Sequence, residues 1–204
     1  MKNFKILLIA LLAVVSVSSC MKNDDPTPGI DYEKERARID STLRAQKPIL
    51  AEWAQDNFEN PIYNDSLQMW YEVITPAIDE SFEYVLSGYS FVPVKADVKY
   101  KGELLDGTVF DETSSTSEMT IGRGQWLQAF ERAFWPQKVT IAGVDYFPGL
   151  TPKGLQKGQK IRFVAPSPWC YDNKEQKDKD GKVKIPADSP LVFTIEVSNL
   201  VKLN

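Results

Sequence analysis

The stretch Val98-Lys99-Tyr100-Lys101-Gly102-Glu103-Leu104-Leu105-Asp106-Gly107-Thr108-Val109-Phe110-Asp111 carries the most informative turn in the chain. Asp-Gly between two apolar-bearing runs is the composition of a tight hairpin, because such turns need residues that accept positive φ. The stretch therefore predicts two antiparallel strands joined at Asp106-Gly107. Outward from it, Gln68 to Ile74, Val94 to Tyr100 and Leu191 to Val197 are aromatic and β-branched runs bounded by Pro, Gly, Asp and Asn, and also read as strands. Gln125 to Phe134 has apolar residues at 126, 127, 130, 133 and 134, the spacing of a short amphipathic helix. One helix among several antiparallel strands is an α+β layout.

Composition limits the chemistry available. The 204 residues hold 24 Lys+Arg, 28 Asp+Glu, two Cys and no His, and 43% are hydrophobic. That is enough apolar material for one domain with attachments, or two small domains. Without His there is no His-ligated metal, no Ser-His-Asp or Cys-His nucleophile, and no imidazole acid or base. A net charge of −4 argues against non-specific binding to nucleic-acid phosphates.

Residues 1-19 read as a signal peptide: Lys2 and Lys5 precede Ile6 to Ser19, an uncharged run too short to span a bilayer. The run ends in Val17-Ser18-Ser19-Cys20, which resembles the lipobox of bacterial lipoproteins, where the Cys is acylated. The alternative is an ordinary signal peptide cut near Ser19 that leaves Cys20 free. On the lipobox reading, 20-30 is the acylated Cys and a polar, disordered tether with Asp24, Asp25, Pro26, Pro28 and Gly29. The chain is then a lipid-anchored protein of the cell envelope, at the outer membrane on its periplasmic or surface face.

Residues 31-60 form a helical arm in which Ile39, Leu43, Leu50 and Trp53 share one face. Pro48 removes a backbone donor, so the arm is expected to kink there or to restart as a second helix. The stripe either packs on the domain that follows or serves as a dimerisation or client-gripping arm, which would give a homodimer.

The remainder, 61-204, resembles the FKBP-type peptidyl-prolyl isomerases. The 98–111 stretch matches that family's strand, Asp-Gly hairpin and Phe-Asp pair almost position by position. Ile121-Gly122, Lys157-Gly158-Gln159, Trp169-Cys170-Tyr171 and Ile185-Pro186 to Phe193 follow in the family's order, and Leu67 to Pro76 fits as a first strand. The resemblance implies a curved antiparallel sheet wrapped around a short helix, and isomerisation of X–Pro bonds in exported, proline-containing polypeptides. It also implies that Tyr100, Phe110 and Phe193 form pocket walls, with Trp126 and Leu127 at the base. Asp111 is then a buried polar wall residue, Tyr171 a hydroxyl donor to a substrate carbonyl, Ile185 a rim residue and Phe130 the floor. Neither cofactor nor metal is expected. Such chemistry needs no proton transfer: the task is to lower the ~18–20 kcal/mol barrier to rotation of an amide, by favouring its twisted form.

Four departures from the family pattern stand out. The floor position is Phe130 rather than the usual Trp, Ser117 replaces a common aromatic, and Asp172 replaces the usual Gly after the Tyr. An insert at about 135-154, with an added hairpin at Val139 to Phe147, either rims the pocket or covers a core edge. These departures keep open an alternative, a non-catalytic peptide-binding or chaperone lipoprotein of the same fold. Asp178-Lys179-Asp180-Gly181 lacks acidic residues at both ends of a calcium loop and reads instead as a solvated hairpin tip. Cys170, between Trp169 and Tyr171, reads as an inert buried thiol.

Overall fold

The computed structural model describes residues 31–203, and from Glu33 onward they form one compact unit. The signal peptide, Cys20 and the tether lie outside the described residues. The long helix α1 (Tyr32–Asn57) comes first, followed by β1 (Ile62–Asn64), β2 (Met69–Thr75), and the small hairpin β3 (Leu86–Ser87) and β4 (Ser90–Phe91). Then come β5 (Val94–Leu104), β6 (Val109–Glu112), β7 (Ser117–Ile121) and the short helix α2 (Gln128–Phe134). The insert contributes β8 (Val139–Ile141) and β9 (Val144–Tyr146). After it run β10 (Lys160–Ala165), β11 (Gln176–Lys177), β12 (Val183–Ile185) and β13 (Leu191–Lys202).

The main sheet has the order β1-β2-β10-β13-β5-β6, with β7 pairing the first half of β5. Every pairing in it is antiparallel. Strand alternation then divides the two faces. Ile161, Phe163 and Ala165 of β10, and Leu191, Phe193, Ile195 and Val197 of β13, join the core around Ala129, Phe130, Ala133 and Phe134 of α2. Val164 and Val192, one residue out of phase, face the other way and meet Leu50, Ala54 and Phe58. The sheet is thus covered on both faces: α2 on one, α1 on the other.

The arm's apolar stripe is therefore spent on the chain's own sheet. Leu43, Leu50 and Ala54 are buried, and the Trp53 indole donates to the Leu105 carbonyl at 2.8 Å. The Arg162 guanidinium lies over the Trp53 ring, 5.2 Å from its centroid. The restart expected at Pro48 as one alternative is corrected: α1 is a single helix, Tyr32–Asn57, with Pro48 inside it. Pro48 lies on the exposed side of α1, as does Arg44, whose carbonyl loses its i+4 donor there. Water can satisfy that carbonyl, which is why the helix tolerates the proline.

The hairpin expected at Asp106-Gly107 joins β5 and β6 through a three-residue loop: the Leu104 N–H donates to Thr108 O at 2.9 Å, and Gly107 sits at φ +85. One local expectation is revised. The α2 helix begins at Gln128 rather than Gln125, because Gly122 and Gly124, both at positive φ, shape the preceding segment. Glu131 fixes that segment by accepting the Gly122 and Gly124 N–H groups at 3.3 and 3.1 Å. Asp180-Gly181 does form a hairpin tip, between β11 and β12.

Candidate functional site

A cleft of about 340 Å³ opens between α2 and the sheet, lined by Tyr100, Phe110, Asp111, Gln125, Trp126, Leu127, Phe130, Tyr171 and Phe193. Phe130, on the sheet-facing side of α2, is 3% exposed and forms the floor. It makes edge contacts with Tyr100 and Phe193, with centroids 5.5 and 5.9 Å apart, and a tilted one with Trp126 at 5.6 Å. Phe110 and Phe193 meet edge to face at 5.8 Å, closing the deep wall. These geometries are the favoured ones for aromatic pairs and hold the walls in place.

Gly102 makes that packing possible. A Cβ there would lie 2.4 Å from Cζ of Phe110, so only glycine leaves room for the ring. On the other side, the Trp126 indole donates to the Thr120 carbonyl at 2.9 Å, which anchors the loop before α2 and leaves the ring face to the cleft.

The polar groups stand on one side of this apolar bowl. The Tyr100 hydroxyl donates to Asp111 Oδ2 at 2.6 Å. Burial, and then this hydrogen bond to a carboxylate, push the Tyr100 phenol well above the ordinary tyrosine value. Tyr171 is raised too, by burial first and by the Asp111 charge second. Both phenols are therefore neutral donors at physiological pH. The cleft combines an apolar floor with one exposed carboxylate and two hydroxyls. Among the described residues no cluster of His, Cys, Asp or Glu could hold a metal ion.

Eight of the nine residues expected from the sequence line this cleft. Ile185 does not: it is 3% exposed, in the core, and absent from the lining, because β12 turns it inward while Val183 and Lys184 face solvent. Asp111 is a wall residue but not a buried one, since β6 is an edge strand whose alternation sends Phe110 in and Asp111 out. Gln125 lines the cleft and was missed, being a polar residue in an irregular loop with no pattern to mark it. Cys170 is half-buried, and burial pushes its thiol far up.

No residue of the 135-154 insert lines this cleft. Its hairpin instead borders a separate groove of about 460 Å³ together with Leu86, Tyr89 and Phe91 and the far side of α2. At its inner end Trp135 stacks on Phe91 at 4.5 Å and meets Tyr84 edge on. The insert thus adds Trp135 and Leu150 to the core and borders this groove with its hairpin.

A curved antiparallel sheet around a short helix, with an aromatic cleft between them, defines the class. The family model for FKBP-type peptidyl-prolyl cis-trans isomerase matches residues 94–198, and the chain belongs to that family. Among curated relatives, the FKBP-type peptidyl-prolyl cis-trans isomerase FkpA of Escherichia coli K12 is 28% identical over 166 residues, 79% of this chain and 52% of that protein. FkpA of Escherichia coli O157:H7 matches equally. The chain thus spans about half the length of these relatives. Among solved structures, a peptidyl-prolyl cis-trans isomerase from Pseudomonas syringae superposes with a TM-score of 0.52 at 18% identity, covering 80% of this chain and 96% of that one. AtFKBP13 gives 0.50 at 21%, covering 70% and 99%. At such identities these two likenesses speak to the fold alone.

Proposed function

We propose that the chain is a peptidyl-prolyl cis-trans isomerase that acts on X–Pro bonds of exported polypeptides. The observation that carries this reading is the convergence of Tyr100, Phe110, Asp111, Trp126, Leu127, Phe130, Tyr171 and Phe193 on one cleft. The uncatalysed X–Pro bond interconverts over tens to hundreds of seconds although its isomers differ by only about 0.5–1 kcal/mol. The barrier is loss of amide resonance, so a catalyst has only to bind the twisted amide better than the planar one. A twisted amide is less polar along its C–N bond, and the Phe130 floor and the Phe110 and Phe193 walls offer it a site poor in water. Tyr171 donates to a substrate carbonyl, and Asp111, oriented by Tyr100, faces the rotating group.

The sequence supports placing this activity in the cell envelope, through a signal peptide and acylation at Cys20. No helix among the described residues is long and apolar enough to cross a membrane. Neither cofactor nor metal is invoked. The arm packs on the chain's own sheet, where Leu50 and Ala54 are buried, so a homodimer formed through it would use its other residues.

Exchange of a proline-containing tetrapeptide, followed by NMR or a coupled protease assay, tests the reading. The purified chain should accelerate exchange, and Asp111→Ala should reduce the acceleration on the order of tenfold or more with the circular dichroism unchanged. A folded chain that leaves exchange at background would sink it. Phe130, which lacks an indole N–H, and Ser117 favour the second reading, a non-catalytic peptide binder; binding of the same peptide without faster exchange identifies that case.

A further inference from the structure

We propose that α1 is a positioning strap for the cleft, in which Arg38 and Gln46 hold the loop that carries Tyr171. Its kinetic consequence rests on the isomerase reading; its structural consequence does not.

Tyr171 lies in the irregular segment after β10, which makes a single 3-10 turn at Ser167–Trp169. Its own backbone bonds are turn and loop bonds: Trp169 N–H to Pro166 O at 3.1 Å, Cys170 and Asp172 N–H to Ser167 O at 2.8 Å each, Lys174 N–H to Tyr171 O at 3.1 Å, and Asp188 N–H to Asp172 O at 2.8 Å. Asp172 and Asp188 both sit in the left-handed region, at φ +56 and +57, where a residue other than glycine is strained and persists only if its surroundings hold it. The arm holds both. Arg38 Nη1 donates to Asp172 Oδ1 at 3.0 Å while Nη2 meets Asp172 Oδ2, a two-pronged grip. Glu35 orients the same guanidinium from behind, accepting Nε at 3.1 Å and Nη2 at 2.7 Å.

About two turns further along α1, the buried Gln46 side chain uses its whole amide on the same segment. Its Nε2 donates to Ser167 Oγ and to the Asp188 carbonyl, both at 2.9 Å, and its Oε1 accepts the Ser167 N–H at 2.8 Å. Ser167 itself is fully buried, so these bonds have no competing water. Further along, the Trp53 indole holds the Leu105 carbonyl at 2.8 Å, in the turn that leads to Phe110 and Asp111. One helix therefore fastens the two loops that bring Tyr171 and Asp111 to the cleft. The Asp that stands in place of the usual glycine after Tyr171 is the loop's half of this contact.

The test uses the full chain and its Arg38→Ala, Arg38→Lys and Gln46→Ala variants, each also made with Tyr171→Phe. Arg38→Ala is expected to lower kcat/KM for the tetrapeptide on the order of tenfold, because small misplacements of a donor are costly. Arg38→Lys should recover only part, since an ammonium has no fork. Amide hydrogen exchange should rise in 167–172 and stay unchanged in β13. In the Tyr171→Phe background the Arg38 and Gln46 substitutions should cost nothing further, because the hydroxyl they place is gone. Equal losses in both backgrounds would overturn the proposal, as would a lowered Tm with kcat/KM unchanged. If the parent chain shows only background exchange, the isomerase reading alone falls, and the variants are read on tetrapeptide binding by NMR titration. There, weaker binding by Arg38→Ala only when Tyr171 is present supports the strap, and unchanged binding overturns it.

Discussion

Gly102 shows how one missing side chain shapes the cleft. It sits opposite Phe193 in the sheet and beneath the Phe110 ring, whose Cζ would lie 2.4 Å from an added Cβ. Gly102→Ala should therefore push Phe110 out of its wall position. The expected cost is about 1–3 kcal/mol of stability, as for other overpacked cores, read as a lower denaturant midpoint. A fall in isomerisation beyond what the unfolded fraction explains should accompany it. An unchanged midpoint and rate would mean that the Phe110 ring has another place to go. The same residues show what sequence can convey: the family resemblance sets Phe110 and Asp111 together after the hairpin, and both line the cleft. That Asp111 is exposed and Ile185 is turned into the core depends on which strands lie at the edge, and no local pattern carries that information.

At the scale of elements, the strands were legible because their alternation is physical and repeated, whereas the departures arise where tertiary contacts override a local rule. Pro48 breaks helices in isolation, yet α1 runs through it because the sheet below binds Leu50, Ala54 and Phe58. The insert hairpin is also legible, from the alternation of Val139, Ile141, Gly143 and Asp145, and the structure turns it at Ala142-Gly143 with φ +51 and +80. Its position is not, because the partner segment from Tyr84 to Phe91 lies far away in sequence and has little regular structure. As no insert residue lines the cleft, replacing Val139–Tyr146 with a short Gly-Ser link should leave the tetrapeptide exchange rate within about twofold, by the usual independence of distant sites. A collapse of the rate in a chain that remains folded would show that the hairpin reaches the substrate after all.

For the molecule as a whole, the absence of His makes a pH prediction. No ordinary side-chain pKa falls between about pH 5 and 8 without it, so exchange activity and Tm should be flat across that interval. Glu35 is held low by its hydrogen bond from Arg38, so its contribution is present above the ordinary carboxylate range and is lost as pH falls through its lowered value. Tyr84 and Tyr100 are raised, chiefly by burial. Their neutral forms are favoured in the folded chain, so stability holds below the ordinary tyrosine value near ~10 and declines as pH rises beyond it. Thermal melts from acid to alkaline pH check both limits; a marked step in activity between pH 6 and 7 would contradict the assignment of uncharged donors to the cleft.

The arm's hold on the outer face of the sheet bears on how such a protein can change over time. Recognisable family sequence runs from 94 to 198, but Val164 and Val192 inside that span are apolar toward a helix that ends before it begins. The recognisable segment is thus not a transferable cassette. Cut out at those borders or grafted behind another leader, it would carry a bare greasy face and lose β1 to β4. Helix and sheet share one packed interface, so a substitution on either side is felt by the other.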